Sequence, residues 1–132
     1  MKKFLSGCLV LMVLVACNSE QKTEQSGADC LRIARGALLR GDYSRARFAI
    51  DSLRKHYPMA MNARELAILL LDSVELEAAK YQLMVSDKDR NDTMRFSRRE
   101  LDSVQFEYEE ALQKIKFYRH KLKHDQANVK IH

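Results

Sequence analysis

Three groups of residues in this chain have types and spacings that could do chemistry. The first is Cys17, a thiol preceded by Leu14, Val15 and Ala16 at the end of an apolar run from Phe4, with Lys2 and Lys3 ahead of it. A positive start, a short apolar stretch and a small residue at its end form the pattern that a signal peptidase reads. The thirteen residues from Phe4 to Ala16 are too few to span a bilayer. The second group is His120 and His124, four apart and hence on one face of a helix, a geometry zinc can use. Lys121 and Lys123 stand beside them and oppose a cation, no further ligand is near in sequence, and the segment is read as a solvated helix tail. The third group is the carboxylates Glu107, Glu109 and Glu110 with Asp72, Glu75 and Glu77. No spacing among them separates an acid from a base, and they read as polar helix faces with basic partners one turn away, such as Glu110 with Lys114. There is no Gly-rich phosphate loop, no Ser-His-Asp order with a flanking motif and no Cys-His nucleophile pair. The expectation is a protein without catalytic residues, without a cofactor and without a metal site.

Leu14, Val15, Ala16 and Cys17 match all four positions of a lipobox, and in this the chain resembles bacterial lipoproteins. The resemblance implies that residues 1–16 are a signal peptide, that cleavage frees Cys17, and that its thiol is diacylated, which would hold the protein on a membrane by a lipid anchor. A signal anchor that stays attached is the other reading of the same residues. The polar run Asn18 to Gly27 cannot bury enough apolar surface to fold, so residues 17–27 are expected to be the lipidated Cys and a flexible tether. Asn18, not an acidic residue, follows the Cys, which by likeness to Gram-negative lipoproteins implies sorting to the outer membrane. Glu20 alone does not choose a leaflet, so the periplasmic and surface-exposed faces both stay open.

Composition bounds the rest. The whole chain carries 23 Lys and Arg against 18 Asp and Glu, for a net charge of +5, and without Lys2 and Lys3 the basic count falls to 21. Basic and acidic residues interleave, and the expected compartment is extracytoplasmic, so nucleic acid is not an expected partner. Cys8 leaves with the signal and Cys17 carries lipid, which leaves Cys30 alone. It occupies an apolar helical position and reads as a small core residue, with pairing between two chains the alternative.

The elements that must position any site are helices. Pro58 is the one proline, no glycine follows Gly41, and Ala, Leu, Glu, Lys and Arg abound. Asp29 is expected to cap a first helix running to about Arg40, with Leu31, Ala34 and Leu38 on its apolar face. Gly41-Asp42 ends it. Ser44 is expected to cap a second helix, in which Ala46, Ala49, Ile50 and Leu53 recur at spacings of three and four. His56-Tyr57-Pro58 stops that helix, because a residue before proline is pushed out of the helical region. Gly41, Tyr43, Ala46, Ile50, Leu53 and Pro58 are spaced as in the tetratricopeptide repeat, a helix-turn-helix unit of about thirty-four residues. The resemblance covers residues 28–60. It implies a tight turn at Gly41, Tyr43 plugging the gap between helices, close approach at Ala46, and termination at Pro58. Ala34, Cys30 and Leu53 depart from the usual Gly, Trp and Ala.

One such unit cannot bury its apolar face alone. Glu75 and Glu77 stand where a second repeat would have its turn, so residues 61–124 are expected to form two long helices joined by a polar loop near 86–92. The first is heavily apolar from Leu66 to Leu71; the second starts near Thr93 or Ser97 and runs to about His124, leaving 125–132 as a disordered tail. Leu101, Val104, Tyr108, Ala111, Ile115, Tyr118 and Leu122 form a heptad-like stripe. It can serve an antiparallel hairpin within the chain or a homodimer through residues 101–122. The tetrapeptide Leu71-Asp72-Ser73-Val74 recurs as Leu101-Asp102-Ser103-Val104, a habit in which the chain looks similar to helical lipoproteins of the Bacteroidetes. The fold expected is all-α: a tetratricopeptide-like hairpin followed by a long, coiled-coil-like helical hairpin. Function is expected to be contact with a protein or peptide partner at the envelope, with a structural, self-associating role or binding of cell-wall glycan or metal as the alternatives.

Overall fold

The computed structural model describes the backbone of residues 2–92 and 94–129, and the side chains of that range from Ser19 onward. Among the described residues the chain forms four α-helices and no strand: α1 (Lys2–Leu39), α2 (Tyr43–His56), α3 (Met61–Asn91) and α4 (Arg98–Val129). The all-α class expected from composition is the class observed. No helix of the described residues is long and apolar enough to cross a membrane.

The helix α3 is the spine. α1 and α2 pair with each other and both pack on α3, and α4 lies along it. The α3–α4 pair is antiparallel: Lys121 near the end of α4 bonds Asp72 in the first half of α3, and the Arg90 guanidinium near the end of α3 sits 4.1 Å from the ring centre of Tyr108 near the start of α4. The stripe on α4 therefore faces α3 within the same chain, with Ala111 and Ile115 buried and Leu101, Val104, Tyr108, Tyr118 and Leu122 half-buried.

The turn between α1 and α2 follows from Gly41. Its φ of 71° is the left-handed conformation a side chain disfavours. The Asp42 N–H then donates to the Ala37 carbonyl and the Gly41 N–H to that of Leu38, both at 2.9 Å, which is a Schellman motif. Asp42 also caps α2, its carboxylate accepting from the Arg45 N–H at 3.0 Å. The cap is thus Asp42 and not Ser44, because Asp42 already leaves the turn with its carboxylate aimed at the free amides of the first helical turn.

Three expectations are corrected. Residues 19–27 are not a tether but part of α1, and the helix does not begin at Asp29. Their polar composition is outweighed by contact: Glu24 Oε1 accepts from the Ala63 N–H at 2.7 Å, satisfying an amide at the start of α3 that the cap residue Ala60 cannot reach. Gly27 lets α1 approach so closely that an added Cβ would lie 2.8 Å from the Ala60 Cβ and 2.9 Å from that of Ala63. Second, the polar run from Ser86 to Asn91 is helical, and the chain leaves the helix at Asp92 and turns through residues 94–97. Asp87 bonds Arg90 at 2.9 Å and accepts from Asn91 through its carbonyl, so the run satisfies its polar groups along the helix. α4 then starts where the Glu100 carboxylate reaches back to the Ser97 N–H at 2.7 Å. Third, α4 continues to Val129 through Asp125, which Lys121 holds from one turn back at 2.8 Å. Residues 130–132 of the expected tail lie outside the described residues.

Candidate functional site

Leu14, Val15, Ala16 and Cys17, expected to form a lipobox, lie outside the residues whose side chains are described. The tetratricopeptide-like positions are all placed. Ala46, Ile50 and Leu53 are fully buried, and with Leu31, Ala34 and Ala37 of α1 and Ala63, Ala67 and Val74 of α3 they build one core. Seven alanines of this core are at most 5 % exposed, which sets how closely the three helices approach. Tyr43 packs on its edge, half-buried, with its ring centre 6.2 Å from that of Tyr81 on α3. Pro58 is exposed at the α2–α3 corner, where its carbonyl accepts from Arg64 Nη1 at 2.8 Å. Cys30 is half-buried against the same core, and burial, followed by the charge of Asp29, pushes its thiol up from the ordinary range.

A groove lies over the first turns of α3, between α2 and α4. Near the corner it widens into two adjoining hollows of about 520 Å³ and 280 Å³, which share Glu65 and Ile68 of α3. Arg54, Met61 and Arg64 line the larger. Asp125, Asn128 and Val129 of α4 line the smaller. Farther along α3, Arg47 of α2 grips the Glu75 carboxylate through Nε and through Nη2 at 2.9 Å. Phe117 stands edge-on to Tyr118 at 5.0 Å and is 59 % exposed. The two hollows thus carry both apolar and charged atoms on their sides.

Beneath the groove lies the least expected feature. Asp72, 2 % exposed, receives Lys121 Nζ on both carboxylate oxygens, at 2.7 and 2.8 Å. The same ammonium bonds Asp125 at 2.8 Å, and Asp125 accepts His124 Nδ1 at 2.9 Å. Burial pushes the Asp72 carboxyl up from its ordinary value even against Lys121, whereas Asp125, held by Lys121 and then by His124, falls to about 2. Lys121, shared by two carboxylates, is raised. A burial cost on one acid and a charge-assisted bond on the other account for the opposite directions. Chemically the cluster locks α4 to α3.

Sequence reading did not single out Asp72 with Lys121, nor Arg47 with Glu75, because partners 49 and 28 residues apart leave no trace in local spacing. The Asp-Ser pair at 72–73, unfavourable inside a helix, was the nearest signal. His120 and His124 are both exposed, and His124 Nδ1 is bonded to Asp125. Among the described residues no group of His, Cys, Asp or Glu is arranged to hold a metal ion. The chain matches no protein-family model, no curated protein and no solved structure.

Proposed function

We propose that this protein is a lipid-anchored, non-enzymatic interaction module of the bacterial cell envelope, held at the outer membrane through Cys17 and binding a protein or peptide partner in the groove between α2 and α4. The groove is the observation that carries the reading. Its two adjoining hollows are lined by Arg54, Arg64 and Glu65 and by apolar Met61, Ile68 and Val129, a mixture suited to an amphipathic segment. The ionisable pairs that cross between helices, Arg47 with Glu75 and Lys121 with Asp72, neutralise each other, which fits a scaffold better than a reacting centre. The lipobox supplies the address. A tetratricopeptide-like hairpin at 28–60 is part of the same proposal, supported by the buried Ala46, Ile50 and Leu53 and the left-handed Gly41.

Two measurements test it. Cys17→Ser is expected to leave the chain unprocessed or released from the membrane while its helical signal in circular dichroism is retained; membrane attachment with a mature-sized band would overturn the anchor. A photocrosslinking residue at Ile68 is expected to trap an envelope protein in intact cells, and one at Met94, at the far turn, is not. Equal yields at both sites would overturn the groove. The alternative, self-association through residues 101–122, has less support because that stripe packs on α3.

A further inference from the structure

At the α2–α3 corner, exposed methionines and basic side chains meet the residues that follow Cys17. Met59 and Met61 are 74 % and 65 % exposed. A hollow of about 500 Å³ beside them is lined by Ser19, Glu20, Thr23 and Glu24 of α1 together with Met59, Met61 and Asn62. Cys17 lies two residues before Ser19, within about 7 Å of chain. An acyl chain on Cys17 would therefore enter the bilayer beside this corner. Basic groups stand beside it: Arg54 and Arg64 share a hollow with Met61, Arg64 bonds the Pro58 carbonyl, and Lys55 follows Arg54 in the last turn of α2, while of the acids lining the methionine hollow, Glu20 and Glu24, the second is engaged at the Ala63 amide.

Exposed methionines cost little order to repack, and their thioether chains adapt to irregular apolar surroundings. An apolar tip with cations beside it suits the boundary of acyl chains and anionic headgroups. The contact between Glu24 and α3 makes the geometry consequential. Since α1 is held to the corner from Thr23 onward, an anchor seven residues ahead of Glu24 cannot leave the domain free to tumble at a distance. Resting on the lipid anchor proposed above, we infer that the corner formed by Met59 and Met61 docks on the phospholipid surface of the membrane that holds Cys17, and that this sets α3 and α4 standing away from it. The acyl chains supply the attachment and the corner supplies orientation. The far turn at 94–97 is then about 45 Å out, the length of the 31-residue α3 at its helical rise. The corner end of the groove opens near the lipid.

The chain has no tryptophan, so a single introduced one reports its own surroundings. The test uses the full-length lipoprotein purified from membranes and reconstituted into phosphatidylethanolamine and phosphatidylglycerol vesicles, with and without brominated acyl chains. Met59→Trp is expected to show blue-shifted emission and at least a twofold loss of fluorescence in brominated vesicles. Met94→Trp, fully exposed at the far turn, is expected to be unquenched. Met61→Trp gives a second reading of the corner should the first variant lose helical signal. Equal quenching at the corner and at the far turn, or none at either corner position, overturns the docking and leaves the anchor standing. An intact mass without acyl chains overturns the anchor, and the inference with it.

Discussion

Along its first half α3 meets α1 and α2 through small residues, and along its second half it meets α4 through a seam of larger, less covered ones. The first contact is built on Ala34, Ala37, Ala46, Ala63 and Ala67, all within 2 % of full burial, with Ile50, Leu53 and Val74 filling the space between them. The second has Leu76, Ala79 and Ile115 at its centre, and Leu83, Tyr118 and Leu122 only partly covered. Three helices around a common axis can enclose a core; two can only press together one face each, and the flanks stay in water. The two-helix part therefore needs something besides apolar burial, and Asp72 with Lys121 and Asp125 supplies directional bonds at the place where α4 ends over the three-helix part. The comparison teaches that one long helix can belong to two packing regimes, with the polar cluster at their junction.

That contrast can be broken by experiment, beginning with the largest effect. Ile50→Ala removes a fully buried side chain from the three-helix core and should cost about 2 to 5 kcal/mol, read as a lowered urea midpoint. Ile115→Ala, in the open seam, should cost less than Ile50→Ala. Equal losses would mean the seam is as tightly packed as the core. Lys121→Met leaves Asp72 buried without its cation; a loss of roughly 2 to 3 kcal/mol is expected at neutral pH, below the usual figure for a fully buried pair because Lys121 keeps 37 % of its side chain exposed. Exchanging Asp72 and Lys121 together for leucines should recover most of that loss, which a double-mutant cycle measures.

Gly27→Ala comes next and separates a tether from a helix contact. In an unconstrained helix the change would add up to about 1 kcal/mol of stability. Against Ala60 and Ala63, closer than 3 Å, it should instead cost roughly 1 to 2 kcal/mol and raise amide exchange at Ala63. The smallest effect is in acid. Asp125 falls to about 2 from an ordinary 3.8, so its contribution is present above about pH 4 and is lost as the pH falls toward 2. Asp72, raised by burial, works with the opposite sign, its cost appearing as pH rises through its own titration. Asp125→Asn should flatten the acid side of the stability profile between pH 4 and 2, followed by circular dichroism; an unchanged profile would place the acid loss elsewhere.

Much of the architecture was legible locally. The Schellman turn at Gly41, the stop at Pro58 and the stripe from Leu101 to Leu122 each arise from residues within a turn or two of one another, and helix signals act over that range. What was misjudged shares one cause. The runs 18–27 and 86–92 are polar, and polarity reads as loop when no partner is in view; 18–27 and 86–91 are helical here, and their polar groups find partners, Glu24 at the Ala63 amide and Asp87 at Arg90.

The sharpest division between sequence and structure lies in one repeated tetrapeptide. Leu71-Asp72-Ser73-Val74 and Leu101-Asp102-Ser103-Val104 are identical, and by itself the sequence determined that both are helical and that the address at Cys17 precedes a domain of helices. Asp72 is buried on the spine beneath Lys121, while Asp102 is exposed on the outer face of α4. Helical propensity and apolar period are properties of neighbours along the chain, so they are written in the chain. Whether a carboxylate meets water or an ammonium 49 residues away depends on which helix packs against its face, and only the tertiary structure decides that.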